Sequence, residues 1–332
     1  MGVHNTDMFI QSNHLLSRGP YLEYSAPMLP DVKGKKVWVG LSGGVDSAVS
    51  AALLQKAGAH VTGVFIKGWY PRGMPCTWAR DRRDAMRVAA HLTMPFVTLD
   101  ASTEYKKSVI DYLLDEYRAG RTPNPDVMCN RDIKFGVFYC AAMAAGADYL
   151  ATGHYRDGDK DQSYFLWAVP TEVLAKTVFP LRGLSKPRVR ALARRLGLPV
   201  ADKPDSQGVC FLGSVSVKDF LRAEFGDNPA ILHTLGERID GKYIIKKDVG
   251  RGQLVVSTAL PHTTRIHFSH AHWHVEPSQG LTVQYRYRGP LCSGHVERNV
   301  FVPHEPICEV VAPGQSIVFY SGGALAGGAI IE

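Results

Sequence analysis

Two hydroxyls, two glycines and a carboxylate are gathered in the six residues Ser42-Gly43-Gly44-Val45-Asp46-Ser47. An apolar run of strand character, Val37–Val39, leads into them, and an apolar helical pattern through Leu53 and Leu54 follows. Strand, glycine turn and helix N-terminus in that order make a place for an anion. Glycine lets backbone approach a ligand with no Cβ in the way, while free N–H groups and the positive end of the helix dipole favour phosphate. The stretch has neither the lysine that closes a G-x-x-x-x-G-K-[ST] loop nor the G-x-G-x-x-G spacing of a dinucleotide site. A nucleotide held by its phosphates through a different loop is the expected ligand; an ordinary glycine-rich turn is the alternative.

A second kind of chemistry is suggested by two of the six cysteines, Cys129 and Cys210. Cys129 follows Arg121-Thr-Pro-Asn-Pro-Asp-Val-Met, where Pro123 and Pro125 stiffen a turn-rich segment ahead of a helix. Cys210 lies in Asp205-Ser-Gln-Gly-Val-Cys-Phe-Leu-Gly, after Pro204. Polar loops beside basic residues or helix N-termini are where a thiol gains thiolate character and becomes a nucleophile; packing is the alternative for each. Cys140 and Cys308 sit in apolar helical and strand patterns and read as buried packing residues. No pair is spaced Cys-x-x-Cys, which argues against a structural zinc site. A chain of this length needs no disulfide staples, so reduced thiols in a cytoplasm are expected.

The elements that must position these residues follow from periodicity. Strands at Val37–Val39, His60–Ile66 and Phe96–Leu99 alternate with helices at Asp46–Lys56, Trp78–His91 and Tyr105–Glu116, and a later helix, Lys134–Ala145, leads into a buried strand before Thr152. Such alternation implies parallel βα units and a doubly wound sheet, with ligands beyond the C-terminal strand ends. A helical stretch from Val173 through Leu196 carries Arg182, Lys186, Arg188, Arg190, Arg194 and Arg195, either a solvated face or a contact to nucleic-acid phosphates. Short β-like runs at Leu281–Tyr287, Ile307–Val311 and Ile317–Tyr320 suggest a small β-rich end. The expected division is a loosely ordered extension at 1–34, an α/β catalytic domain at 35–225, a central β-rich domain at 226–275 and a C-terminal β-barrel-like domain at 276–332. With 38 Lys plus Arg against 31 Asp plus Glu the net charge is +7, which suits a polyanionic partner. No apolar run approaches the roughly 20 residues of a membrane span, so a soluble chain with no membrane partner is expected.

The loop Gly40–Ser47 resembles the pyrophosphate loop of the ATP pyrophosphatases, which cleave ATP between the α- and β-phosphates and adenylate a substrate. Together with Gly120-Arg-Thr-Pro-Asn-Pro-Asp and Cys129-Asn130, Ala151-Thr-Gly-His-Tyr, Lys160-Asp-Gln-Ser-Tyr-Phe-Leu and the run Asp205–Gly213, it is similar to the bacterial tRNA-specific 2-thiouridylases. The similarity is close over 36–225 and loose beyond. It implies an α/β fold with a doubly wound parallel sheet of the ATP-pyrophosphatase type, followed by a small central domain and a C-terminal β-barrel-like domain. It also implies ATP and magnesium as cofactors, a persulfide donor protein, and sulfur placed on C2 of the wobble uridine of lysine, glutamate and glutamine tRNAs. Carried over by position, Gly40, Leu41, Ser42, Gly43, Gly44, Val45, Asp46 and Ser47 would bind ATP phosphates, with Asp46 also on magnesium. Ile66 falls where the family usually has a methionine beside the adenine, and Gly153 would close the pocket. Asn124, Pro125 and Asp126 would meet the target base, and Lys160, Asp161, Gln162, Arg286 and Tyr287 would contact tRNA. Cys129 would be the nucleophile and Cys210 the persulfide carrier, its sulfur attacking C2 or being released by Cys129 to do so, with a Cys129–Cys210 disulfide as by-product.

The departures are local. His233-Thr-Leu-Gly-Glu-Arg is a reduced form of the family's Tyr-Thr-x-Gly-Gln-Arg run, so the central domain is expected to be trimmed. His262, His267, His270, His272 and His274 have no family counterpart; strand spacing would put the last three on one face, where packing or solvation is expected ahead of a metal. Two rival functions stand beside the thiolation reading. An amide-forming synthetase would leave both loop cysteines without a task, and a silent tRNA-binding relative should have lost a loop residue or a cysteine.

Overall fold

The computed structural model describes residues 29–71, 73, 77–156, 161–205, 215–276 and 280–332. Five strands, β1 (Lys36–Gly40), β2 (His60–Lys67), β3 (Phe96–Asp100), β4 (Tyr149–Ala151) and β5 (Thr177–Val178), form a parallel sheet in the order β3-β2-β1-β4-β5. The two-residue alternation of a strand assigns their side chains to opposite faces. Val37, Val39, Val61 and Phe65 enter one core, shared with α1 (Val45–Lys56) and α2 (Trp78–His91). Val64 and Leu150 enter another, with Phe135, Phe138 and Ala142. Both faces are covered, as the doubly wound arrangement requires, and each fully buried Val or Leu adds about 1.5–3 kcal/mol.

Two helical stretches run longer than their periodicity predicts. Residues 102–118 (α3) and 125–144 (α4) each hold a π-helical segment, Lys106–Asp111 and Cys129–Val137. π segments interrupt helices at functional sites more often than elsewhere. Pro125 stands at the first position of α4 with Asn124 as its N-cap. A proline there is preorganised for a helix, so the Pro-Asn-Pro stretch starts α4 rather than a loop, and Cys129 is helical and buried.

After α5 (Lys186–Arg195) and α6 (Val217–Phe225), three short antiparallel strands, β6 (Arg238–Ile239), β7 (Lys242–Asp248) and β8 (Gln253–Ser257), make a small central sheet. The last six, β9 (Ile266–Trp273), β10 (Leu281–Gln284), β11 (Cys292–Glu297), β12 (Val300–Pro303), β13 (Ser316–Ser321) and β14 (Ala324–Ile331), close into a barrel. Its first strand lies ahead of residue 276. Among the described residues the run Ile307–Val311 forms no strand and contributes one isolated bridge, Ile307 to Thr263. Among the described residues no helix is long and apolar enough to cross a membrane.

The barrel is docked on the α/β domain around one tryptophan. Trp167 is 2% exposed, its Nε1 donates to Ser316 Oγ at 3.0 Å, and the Tyr164 hydroxyl donates to the Ser316 carbonyl at 2.9 Å. Gln315 Nε2 donates to the Thr122 carbonyl at 2.8 Å, tying the barrel to the chain just before α4. The histidines of β9 join this seam unevenly. Ser269 pairs with Ile330 but His272 with Gly328, so a bulge at 270–271, with His270 at φ +53°, separates His270 from His272 and breaks the expected shared face. His272 and His274 meet edge-on at 4.9 Å, and His274 Nδ1 lies 3.0 Å from Thr171 Oγ1. Burial holds the His274 imidazole down to about 4, so it is neutral at pH 7.

A Cβ on Gly328 would fall on the Trp167 indole. Gly328→Ala is therefore expected to cost about 1–3 kcal/mol through overpacking, read as a lower midpoint in urea unfolding. Gly280→Ala serves as a strain control without crowding, because its Cβ would meet nothing while its φ is +82°.

Candidate active site

The sheet order reverses between β1 and β4: the chain leaves β1 toward β2 on one side and returns with β4 on the other. Loops at such a switch point diverge and leave a crevice beyond the strand ends. The Ser42–Ser47 loop follows β1 and Gly153 follows β4, so the fold brings them together. Gly43 has φ +77°, and a Cβ there would strike the Asp81 carbonyl. A Cβ on Gly153 would sit 3.0 Å from the Ser47 nitrogen and 3.2 Å from the Asp46 carbonyl carbon. The loop is braced internally: Ser42 N donates to Ser47 Oγ at 3.2 Å, and Ser47 Oγ donates to the Gly44 carbonyl at 3.1 Å. Gly44 is the extended N-cap of α1 and offers no side-chain acceptor to its first N–H groups, which suits an incoming phosphate. Gly40 ends β1, the Leu41 nitrogen donates to the Val64 carbonyl at 2.7 Å, and Val45 opens α1. Ile66 lies on β2, half-buried and paired in register with Leu99.

Asp46 is the hub of this crevice. Its Oδ1 accepts from the Tyr155 hydroxyl at 2.7 Å and from Lys186 Nζ at 2.6 Å. Lys186 also lies 2.7 Å from Asp205 Oδ1, which takes Arg190 at 2.7 Å. Arg190 donates as well to the Lys203 carbonyl at 3.1 Å, while Lys203 Nζ bridges Asp81 and Asp84 at 2.8 and 2.7 Å. Burial and the Asp46 charge push the Tyr155 phenol far up, so it remains a donor. Lys186 and Arg190, four apart on α5, share the face with buried Val189 and Ala193 and turn toward the crevice. These two are ion-paired and mostly covered, so they do not form a solvated face. Arg194, paired with Asp202 at 3.0 Å, is exposed. Tyr155 and Asp205 stood inside recognised motifs, yet residue type alone gave no sign that both converge on Lys186 and Asp46.

Cys129 opens the π segment of α4 at 3% exposure. The helix is fixed next to it, since Asn130 Nδ2 donates to the Phe165 carbonyl at 2.9 Å. On the preceding turn, burial raises the Asp126 carboxyl above its ordinary value against the pull of Lys134; Asn124 and Pro125 cap and start that turn. Cys210 and Lys160 lie outside the described residues. Of their neighbours in the same expectation, Asp161 caps Ser163 N at 2.6 Å. Gln162 Oε1 accepts from Tyr155 N at 3.0 Å, which holds the tyrosine that touches Asp46. Arg286 pairs with Glu309 at 2.8 Å, and the Tyr287 ring packs 4.4 Å from Phe165.

Cys140 and Cys308 are exposed, contrary to the packing expected of them. On α4, Phe138 and Ala142 take the inward positions and turn Cys140 out. Ile307 is buried in its bridge, and the two-residue alternation turns Cys308 out.

Because Lys186 separates two carboxylates, Lys186→Met should cost about 1–3 kcal/mol by leaving charges unpaired. Adding Asp46→Asn should restore part of that loss, a coupling read from urea unfolding of the three variants. Simple additivity would show that Lys186 does not hold the two together.

Models of two domain families match the chain: the tRNA methyl transferase HUP domain over residues 35–214 and the aminomethyltransferase beta-barrel domain over residues 263–331. Curated relatives match along nearly their whole length. The tRNA-specific 2-thiouridylase MnmA of Akkermansia muciniphila is 37% identical, over 90% of this chain and 98% of that one. The proteins of the same name from Salmonella typhimurium and Idiomarina loihiensis are each 39% identical, again over 90% of this chain and over 97% and 96% of theirs. With the Ser42–Ser47 loop at the switch point, the barrel behind it and this extent of identity, the chain belongs to the tRNA-specific 2-thiouridylase family.

Proposed function

We propose that the chain is a tRNA uridine 2-sulfurtransferase that activates C2 of the wobble uridine with ATP and delivers persulfide sulfur to it. Family membership and the Ser42–Ser47 crevice beneath Asp46 carry this reading; the net charge of +7 supports a polyanionic substrate. The uridine O2 attacks the α-phosphorus of ATP, forming an O–P bond and releasing pyrophosphate, and the loop N–H groups stabilise the charge that develops. The terminal sulfur of a Cys210 persulfide then adds to C2, and AMP leaves. Cys129 thiolate attacks Cys210 Sγ, the S–S bond to the nucleoside breaks, and 2-thiouridine departs, leaving a Cys129–Cys210 disulfide for a thiol reductant to open. The two cysteines are 81 positions apart in sequence, and the relay requires them to meet. Lysine, glutamate and glutamine tRNAs are the proposed acceptors, and a persulfide-bearing protein the proposed donor.

Magnesium fits this crevice. One carboxylate beside a phosphate cradle is the donor set Mg²⁺ takes when phosphates and waters complete its shell; Asp46 would hold it, and it would supply neutralisation of the pyrophosphate. The residues' own part is clear without it. Lys186 orients Asp46, Gly153 keeps the crevice narrow, and buried Cys129 stays out of water until substrate arrives.

Asp46→Ala should lower AMP formation at least about 100-fold while tRNA affinity, read by filter binding, stays within twofold. Undiminished AMP release would remove this loop from the reaction. The cysteine roles separate by mass spectrometry. Cys129→Ser should accept and retain labelled sulfane sulfur on Cys210, Cys210→Ser should accept little, and neither should make 2-thiouridine. Normal thiolation by either variant would refute the relay.

A further inference from the structure

We propose that Cys308 and His262 form a second reactive-thiol site, outside the thiolation chemistry, that takes small disulfides by thiol–disulfide exchange. The backbone sets the pair up. Thr263 and Ile307 exchange two N–H···O bonds of 2.9 Å each as an antiparallel bridge. The next residues out, His262 and Cys308, therefore face each other at the non-hydrogen-bonded position, where antiparallel chains approach to about 4.5 Å between Cα atoms. Cys308 Sγ lies 3.5 Å from His262 Nδ1 and 3.8 Å from the Pro306 carbonyl. A thiol in hydrogen-bond contact with an imidazole is the arrangement that activates a nucleophilic cysteine.

The surroundings fit a disulfide substrate. Cys308 is exposed and borders a cleft of about 620 Å³ also lined by Tyr285, Cys292, His304, Glu305 and Glu309. Room of this size accommodates the half of the disulfide that remains attached. Glu309 is occupied by the Tyr285 hydroxyl at 2.7 Å and by Arg286 at 2.8 Å, so its charge is largely balanced. Burial, reinforced by Glu309, raises the Cys292 thiol and makes it the weaker nucleophile of the two in the cleft.

In the exchange, His262 accepts the thiol proton and the Cys308 thiolate attacks one sulfur of R–S–S–R. The Cys308–S–S–R bond forms as the original S–S bond breaks. R–S⁻ leaves with the electron pair and takes the proton from His262, so the disulfide is the only oxidant required.

The test uses the full chain with glutathione disulfide as probe, and peptide mass spectrometry to follow the rates of adduct formation at Cys308, Cys140 and Cys292 at pH 7. Exposed Cys140 reports the reactivity of an unassisted thiol. Cys308 is expected to react about tenfold faster than Cys140 at pH 7. His262→Asn and, independently, His262→Gln should bring Cys308 down to the Cys140 rate. Matching melting curves establish that these surface variants are folded. Cys308→Ser should abolish the fast adduct and retain tRNA thiolation. Wild-type Cys308 reacting no faster than Cys140, or an unchanged rate in both His262 variants, overturns the proposal.

Discussion

The site depends on one shared cation. Lys186 stands between Asp46, in the first turn of α1, and Asp205, at the end of the stretch that leads toward Cys210. Without it two carboxylates would face each other across a narrow, partly dry crevice, where like charges repel more strongly than in water. The ammonium also makes α5 a part of the Ser42–Ser47 loop's architecture, since its inward face reaches Asp46 and Asp205 while Val189 and Leu192 pack into the core beneath the sheet. Arg190 and Lys203 extend the same alternation of charge to Asp81 and Asp84, next to the tight turn at Gly43. On the function proposed above, a nucleotide's phosphates would enter a charge pattern already near balance, and the loop N–H groups would meet their negative charge.

The barrel holds the other wall. Gln315 binds the Thr122 carbonyl, and the Thr122 nitrogen in turn donates to the Pro313 carbonyl at 2.8 Å. These bonds pin the entry to α4 within a few residues of Asp126 and Cys129. Position of the candidate nucleophile is thus set jointly by its own helix and by a domain that begins more than a hundred residues later.

How much of this could be read from the chain depended on whether neighbours in sequence or in space carried the signal. The sheet was legible because alternating Val37, Val39, Val61 and Phe65 are local patterns, and α2 was legible to the residue because its amphipathic repeat is strong. The glycine loop between β1 and α1 was legible for the same reason: all of its glycines and hydroxyls are contiguous. Cys129 was expected in a loop because two prolines usually interrupt structure; Pro125 instead occupies the first turn of the helix, where an N–H has no intrahelical acceptor to lose. The burdens of Lys186 and Arg190 were hidden, since a run of basic residues looks alike whether it meets solvent or carboxylates from elsewhere in the chain. Cys140 and Cys308 were misjudged by their apolar neighbours, which themselves took the inward positions.

Trp167 waits for its partners during synthesis. Its acceptor, Ser316, is 149 residues further along the chain, and the Gly328 backbone that covers its ring comes later still. At about 5–20 residues per second, a ribosome leaves that indole and its apolar surroundings uncovered for about 7–30 s after they emerge. The α/β half can assemble its sheet in this interval, but one apolar flank must stay open until β13 and β14 arrive. That flank is where a nascent-chain chaperone has work to do, and where slow elongation would expose the protein to aggregation before any of its chemistry begins.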